Sequence, residues 1–425
     1  GTPETVCGPI DDQQPAMPAP APVTLRIARA AKVIGMPLTQ AQCTDALVRL
    51  GLPVTQGEGS VTVVPPSYRF DLTIEEDLIE EVARMVGYNQ LPTTKPLAPI
   101  SPKLRAEDRR SPFAVRRALA GLGYQETINF SFVEERWERE LAANADPIRL
   151  LNPIASQMSV MRSSLIGSLL QVVKFNLDRK APRVRVFELG RVFLRDAAVQ
   201  NTDTTVQGFH QPMRVAGIAC GSADALQWGR KDAGVDFFDV KGDVEALLAP
   251  RRATFEPAAH PAMHPGRCAR VLVDGAPVGF VGELHPQWRQ GWDLPQVPVL
   301  FELELDAVLQ RDVPSFRAVG KQQAVERDIA VVVAERVTHA EVQAAIAAAV
   351  PATTLRSAVL FDVYRPKPAK GEEAAVSGGL AAGEKSLAVR LTLARDDAPL
   401  AEGEIDAAMQ AVVQQLGERL GARLR

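Results

Sequence analysis

Two proline-rich segments constrain the fold of this chain most, because neither can lie inside a helix or a central strand. Residues 15–22 carry alternating prolines, which favour extended polyproline II, and residues 97–104 form a second proline-rich bridge. The 425 residues are also too many for one ordinary core. We therefore predict a linker over residues 1–22, a small α/β domain over 23–98, a central domain over 99–314 and a C-terminal domain over 315–425.

Hydrophobic periodicity predicts an α+β fold in each of the three domains. In the small domain, strand patterns at 23–27 and 60–64 flank helical patterns, and a Thr73–Glu76 capping box predicts a last helix. The central region has strand patterns, among them 126–132, without regular βαβ alternation, which indicates a mostly antiparallel sheet with helices packed on it. After Ser315 the order β-α-β-β-α-β is the ferredoxin-like motif, which leaves one face of its sheet free.

The composition is that of a globular protein without a strong global charge. The apolar fraction is 46%, and 48 basic against 51 acidic residues give a net charge of −3, so any RNA contact must use a local patch. The four cysteines form no CxxC pair, which favours a reducing cytoplasm. We find no apolar run of the roughly 18 residues needed to span a bilayer and expect no membrane contact. The first residue is Gly1, which suggests that a longer protein has been cut.

The densest signal of a functional site is a run of acidic residues. On a helix, Asp77, Glu80 and Glu81 share one face, and Asp71 lies just before that helix. Four converging carboxylates suit a hard cation such as Mg²⁺. The same residues also fit a solvated face, because the helix dipole stabilises acids in the first turn and offsets their mutual repulsion. Spacing alone leaves both interpretations open.

Other catalytic patterns are weak in this sequence. His260, His264 and Cys268 recur every four residues, but Pro261, Pro265 and Gly266 forbid a regular helix, so we predict a turn rather than a metal site. We find no phosphate-binding glycine loop and no nucleophile elbow. An independent Mg²⁺-dependent enzyme would need such groups, so that alternative is disfavoured.

Basic residues cluster in two places. One cluster follows a predicted helix near residue 165 and contains Lys174, Arg179, Lys180, Arg183 and Arg185. The other lies on the strands of the C-terminal domain, and there we predict RNA contacts by Arg327, Tyr364, Arg365 and Arg390, with Phe361 and Lys367 nearby. An ordinary charged surface over core aromatics remains the alternative.

Several ordered motifs resemble the β subunit of bacterial phenylalanyl-tRNA synthetase (phenylalanine–tRNA ligase). The motifs are PSYRFD at 66–71 with EDLIEEVAR at 76–84, LNPI at 151–154 with MRSSL at 161–165, FFDVKGDVE at 237–245, HPGR at 264–267 with GELHP at 282–286, and RDIA at 327–330 with FDVY at 361–364. Together they extend over nearly the whole chain after residue 22.

The resemblance implies specific roles. It implies that Asp71, Asp77, Glu80 and Glu81 bind a Mg²⁺ shared with a catalytic α subunit, and that the central domain is a class II synthetase-like core that has lost catalysis. In agreement, the sequence before Asp312 contains no glycine-rich motif ending in arginine that would hold ATP. No catalytic residue is therefore assigned to this chain.

The resemblance also implies the assembly. It implies an (αβ)₂ heterotetramer in the cytoplasm, with ATP used at the α-subunit site and tRNA(Phe) bound by a ferredoxin-fold anticodon-binding domain. The family's N-terminal oligonucleotide-fold and editing modules have no counterpart in this sequence, so we expect a C-terminal fragment without editing activity. The alternative from another class is a stand-alone RNA-binding scaffold protein.

Overall fold

The computed structural model describes all residues except 1, 7, 14, 18, 101–103, 105, 317–318, 367–379 and 382. It separates the chain into two units, residues 1–104 and 105–425, which we describe individually. Cys7, Lys367 and most of the loop after residue 366 lie outside the described residues. Within the described part, no helix combines the length and apolar character that crossing a membrane requires.

The first unit is a three-stranded antiparallel sheet with helices packed on it. The sheet order is β1-β3-β2. Leu25, Val61 and Val63 from the sheet share one apolar core with Leu47, Leu78 and other helix residues. The elements are β1 (Val23–Arg26), α1 (Ile27–Ile34), α2 (Gln40–Arg49), β2 (Val54–Gly57), β3 (Ser60–Val63) and α3 (Glu75–Val86).

The start of α3 differs from the predicted capping box. The helix begins at Glu75, and the Asp77 carboxylate accepts hydrogen bonds from the backbone N–H groups of Thr73 and Ile74 at 2.7 and 2.8 Å. Glu76 instead pairs with Arg29 of α1. The predicted Thr73–Glu76 capping box was therefore wrong. Asp77, one residue after Glu76, accepts the hydrogen bonds from the free N–H groups at the start of the helix.

The central part of the second unit is built on a seven-stranded sheet. Its order is β11-β12-β13-β14-β10-β7-β4, and every neighbouring pair is antiparallel except β4 with β7. The elements up to β9 are α4 (Pro112–Gly121), β4 (Gln125–Glu126), β5 (Phe132–Val133), α5 (Glu135–Leu141), β6 (Val160–Met161), α6 (Ile166–Asp178), β7 (Arg183–Arg191), β8 (Leu194–Arg195) and β9 (Phe209–His210). They continue with β10 (Met213–Gly221), α7 (Phe237–Leu248), β11 (Ala253–Pro257), β12 (Met263–Val273), β13 (Ala276–Leu284), α8 (Pro286–Gly291), β14 (Val299–Glu304) and α9 (Leu305–Leu309).

The mostly antiparallel sheet confirms the predicted architecture, with two local differences. The strand predicted over 126–132 is divided between β4 and β5, since only its first residues reach the backbone of β7. The residues around His260 form a turn at 261–262, as predicted, but His264 and Cys268 then belong to β12.

The C-terminal part has the predicted ferredoxin-like order. Its elements are β15 (Val325–Ala334), α10 (His339–Ala349), β16 (Leu355–Tyr364), β17 (Glu384–Leu393), α11 (Glu402–Leu420) and β18 (Arg423–Leu424). The sheet order is β16-β17-β15-β18, with all neighbours antiparallel. Residues such as Val331, Val389 and Leu391 pack against the two helices, so the opposite face of the sheet remains open.

Candidate functional site

Three of the four predicted carboxylates, Asp71, Asp77 and Glu81, are engaged by partners within their own unit. Asp71 accepts from Arg69 at 2.7 Å, and the same guanidinium donates to Glu81 at 2.7 Å. Arg84, one turn along α3, also pairs with Glu81. Burial acts to raise the pKa of Glu81, but the hydrogen bonds from Arg84 and Arg69 outweigh it, so the pKa lies below its ordinary value. Arg69 similarly lowers the pKa of Asp71.

The four carboxylates do not form a metal centre by themselves. Asp77 holds the start of α3, and its hydrogen bonds from Thr73 and Ile74 lower its pKa. Glu80 is exposed and has no described ion-pair partner. Among the residues that the structure describes, no group of three or more His, Cys, Asp or Glu side chains is arranged to hold a metal. A Mg²⁺ at this place would need ligands from outside these residues, and its four-residue assignment stays a prediction.

Both faces of the seven-stranded sheet are covered by apolar side chains. On one face, Val215, Phe301 and Leu303 pack with α4, α7 and α9. On the other, Ala216, Ile218 and Leu300 pack with α6 and the region around Trp288. The polar recess that the central strands do line is formed by Arg214, Glu302, Glu304 and the neighbouring His260.

The charged side chains within this core have hydrogen-bond and ion-pair partners. Glu302 accepts from the backbone N–H of Leu165 at 2.6 Å and from the hydroxyl of Ser164 at 3.0 Å, at the start of α6. Arg214 donates to Glu302 and to Glu304, each at 2.9 Å. The cavity beside them measures about 210 Å³. Pockets for drug-sized ligands usually hold about 300–1,000 Å³, so this space is too small for a nucleotide such as ATP.

His260 lies beside this cavity rather than in a metal site. Burial lowers its pKa, and its ring packs 5.1 Å from that of Phe280. His264 accepts a hydrogen bond from the N–H of Gly266, while the Cys268 thiol is buried against Met263. Cys43, Cys220 and Cys268 are free thiols, each of them buried.

The open face of the C-terminal sheet brings together two of the four predicted RNA-binding residues. Arg390 of β17 lies between Asp328 of β15 and Val359 of β16 in the register. It donates to Asp328 at 2.8 and 2.9 Å and lies 5.6 Å from the Phe361 ring centroid. Tyr364 lies further along β16, where Arg425 extends over its ring at 4.7 Å. The face is therefore aromatic, with Arg390 held by Asp328 and Glu326.

The other two predicted residues lie elsewhere. Arg327 is opposite Leu391, whose side chain faces the helices, so the two-residue period of the strand turns Arg327 away from the open face. Arg365 follows the end of β16 and pairs with Glu335 at 3.0 Å. Sequence reasoning missed Arg423 and Arg425, which reach the sheet through the short strand β18. The predicted β-α-β-β-α-β order places a last strand at the end of the chain, but only the cross-strand register shows that it pairs with β15.

Comparison with known families assigns most of the chain. Residues 91–305, more than half of the 425, match the family described as phenylalanyl tRNA synthetase beta chain CLM domain. The chain belongs to the phenylalanyl-tRNA synthetase beta chain family. Residues 23–88 match the tRNA synthetase B5 domain, and residues 320–425 match the ferredoxin-fold anticodon binding domain. The predicted family and the predicted α+β fold are both confirmed.

Curated relatives of this synthetase family agree with that assignment. The chain is 52% identical over 426 aligned positions to the phenylalanine–tRNA ligase beta subunit of Cupriavidus pinatubonensis, covering 98% of this chain and 51% of the relative. It is 50% identical to the subunit of Ralstonia nicotianae and 49% identical to that of Burkholderia lata, with the same coverage. The chain thus spans about half the length of the curated relatives it matches.

Proposed function

We propose that this chain serves phenylalanine–tRNA ligase as a non-catalytic part of its β subunit. In this proposal the α subunit attaches phenylalanine to tRNA(Phe), using ATP at its own active site, within a cytoplasmic (αβ)₂ assembly. The observation that carries the proposal is the covering of both faces of the seven-stranded sheet, with a neighbouring cavity of about 210 Å³. This cavity is smaller than an adenylate would need, which supports a core that makes none.

The central domain would act by holding the α subunit. Four large apolar side chains of this domain are exposed. Leu151 and Ile154 belong to the LNPI motif, and Ile128 and Phe130 lie in the segment after β4. Exposed apolar groups of this kind are typical of protein contacts. Positioning a partner's reacting groups contributes to catalysis even when a chain supplies none of them.

The C-terminal domain would bind tRNA through the open face of its sheet. Arg390, Phe361 and Tyr364 offer one cation and two rings, which suits phosphate contacts and stacking on unpaired bases. Asp328 and Glu326 both pair with Arg390 in the free chain, so RNA would have to compete with those ion pairs. The contact is therefore expected to weaken with salt.

Mg²⁺ enters the proposal only in a restricted form. Glu80 is exposed, and Asp71 is half exposed beside Arg69, so these two carboxylates are available to a metal completed by the α subunit. Asp77 and Glu81 are engaged within the small domain and would act by holding α3 in place. When bound, the ion would supply positive charge between the two subunits.

ATP–pyrophosphate exchange with phenylalanine tests the division of labour. We expect the pure chain to give no exchange, and we expect native mass spectrometry to show a stoichiometric complex once the α subunit is added. Exchange by the chain alone would contradict the non-catalytic role. A chain that binds tRNA but never retains an α subunit would favour the stand-alone scaffold instead.

A further inference from the structure

A second surface, aromatic and basic, lies on the central domain. It consists of the end of α6, with Phe175, Arg179 and Lys180, and of residues 222–235, which connect β10 to α7. We call the connecting segment the arm and the whole the α6–arm surface. Its α6 cations belong to the first of the two basic clusters in the sequence, which has no part in the proposed function.

The arm is a small hairpin with an exposed apolar tip. Its base is closed by the bonds Ala223 N–H to Ala233 O and Val235 N–H to Gly221 O, both 2.9 Å. At the tip, Leu226 is 95% exposed and Trp228 is 102% exposed. The other three tryptophans, Trp137, Trp288 and Trp292, all pack in or against the core cluster beneath α6. Trp228 alone thus presents its whole ring to solvent.

The end of α6 supplies the positive charge. The Arg179 guanidinium lies 3.4 Å from the centroid of the exposed Phe175 ring. Lys180 follows with a left-handed backbone, φ 67°, and among the described residues it has no ion-pair partner. Lys174, by contrast, is paired with Asp178 at 2.6 Å. Two cations at the helix end, Arg179 and Lys180, are therefore available to an anionic ligand.

Arg183 joins the two halves of the surface. It lies three residues after Lys180, a reach of at most about 11 Å. Its guanidinium donates to the carbonyl oxygens of Ser222 and Ala223, both at 3.1 Å, at the base of the arm. Gly221 permits this close packing, because a Cβ there would overlap the backbone of Pro182 and Arg183. The arm is thus held beside the basic end of α6.

The size and charge of this surface favour RNA over a protein partner. A stable protein interface buries about 800 Å² on each side around an apolar centre. Here the apolar tip is Leu226 and Trp228, the charges of the arm balance (Asp224 and Asp232 against Arg230 and Lys231), and the excess positive charge comes from Arg179 and Lys180 of α6. One aromatic platform together with two cations is sufficient for a short unpaired segment, in which a base stacks while the phosphates are neutralised.

We propose that the α6–arm surface binds an unpaired segment of tRNA, with a base stacked on Trp228 and phosphates at Arg179 and Lys180. This proposal rests on the proposed function, since it takes tRNA as the ligand. It adds an RNA contact on the central domain, separate from the open sheet face of the C-terminal domain.

Tryptophan fluorescence of the full chain tests the proposal with a tRNA(Phe) transcript as the probe. Iodide should quench mainly Trp228 in the free chain, and saturating tRNA should protect it. Trp228→Ala should weaken binding by about 5- to 100-fold, the range for losing one stacked base. Trp228→Phe keeps a ring and should retain most of the affinity. Arg179→Gln with Lys180→Gln should lower the salt slope of log K by about 1.4–1.8.

A matched control separates the specific effect from general charge. Lys32→Gln with Arg49→Gln removes the same charge from exposed positions in the other unit and should leave binding unchanged. If tRNA binds but Trp228 stays open to iodide, or if Trp228→Ala impairs only association with the α subunit, the α6–arm proposal fails while the proposed function survives. If the wild-type chain binds no tRNA even at low salt, both fail.

Discussion

Arg162 and Glu188 form a buried ion pair, with Arg162 Nη2 2.7 Å from Glu188 Oε1 and side chains only 2% and 4% exposed. Asn129 donates to the second carboxylate oxygen at 2.7 Å, so the acid is fully satisfied. Arg162 also fills the space above Gly190, where a Cβ would overlap its guanidinium. The MRSSL motif thus contributes an arginine that fixes the central domain from inside.

Removing one partner of this pair should be costly. Arg162→Met leaves the Glu188 carboxylate buried without its cation, and we expect a loss of about 3–5 kcal/mol in the free energy of unfolding. Arg162→Met with Glu188→Leu should recover part of that loss, because no charge is then stranded. Urea denaturation of both variants measures the difference. A double variant no more stable than the single one would show that the two charges do not act as a pair.

Stability of the small domain should depend on pH through Glu81. Its pKa in the folded chain lies below its unfolded value of about 4.3, so its stabilising effect is present above that pH and is lost as the pH falls. Glu81→Gln removes charge-assisted bonds to Arg69 and Arg84 and should cost about 1–3 kcal/mol at pH 7.

Amide hydrogen exchange of α3 in the full chain would measure this effect. We expect the difference between wild type and Glu81→Gln to shrink below about pH 4.3. Glu80→Gln, on the exposed side of the same helix, is the matched control and should change stability by less than about 0.5 kcal/mol. A difference independent of pH would show that Glu81 acts through packing rather than charge.

Binding of tRNA should distinguish neighbouring arginines of the C-terminal sheet. Arg390→Gln should weaken binding by about 5- to 30-fold and lower the salt slope of log K by about one, because Arg390 lies on the open face. Arg327→Gln removes the same charge from the opposite side of β15 and should have little effect. Filter binding at several salt concentrations measures both. Equal losses in the two variants would contradict the assignment of the open face.

Magnesium should not stabilise the chain on its own. A cation that binds only the folded state raises the free energy of unfolding by RT ln(1 + c/Kd), where c is the concentration of the free cation. The four acidic residues form no metal centre among the described residues. MgCl₂ at about 10 mM, about 100-fold above the Kd of a site that bound Mg²⁺ at roughly 0.1 mM, should therefore leave thermal unfolding unchanged relative to EDTA. A rise in Tm that is lost in Asp71→Asn or Glu80→Gln would show a complete site in this chain.

The sequence predicted the C-terminal domain well because each of its elements carries its own local signal. At the start of α10, for example, the T-x-x-E pattern of Thr338 and Glu341 forms a capping box, with the Thr338 N–H and hydroxyl donating to Glu341 at 2.7 and 2.8 Å. The division of the strand predicted at 126–132 was not predictable, since it depends on where the backbone of β7 ends its pairing with β4. A local sequence pattern indicates which secondary structure a segment prefers, whereas strand pairing depends on two segments that are distant in sequence.

The candidate sites show the same limit. Helical spacing correctly placed Asp77 and Glu81 one turn apart, but it could not show that Arg69 returns to hold Glu81 or that Asp77 bonds the backbone ahead of α3. Strand alternation alone would have placed Arg327 and its neighbour Asp328 on opposite faces of the sheet. The pairing of Asp328 with Arg390 needed the register between β15 and β17, 62 positions apart in sequence.

The last strand has a practical consequence for anyone preparing this protein. Arg425 donates its backbone N–H to Ala330 and extends its side chain over Tyr364, so the carboxyl end of the chain emerges beside the open sheet face. An affinity tag fused after Arg425 would compete with RNA for that space and lower the measured affinity.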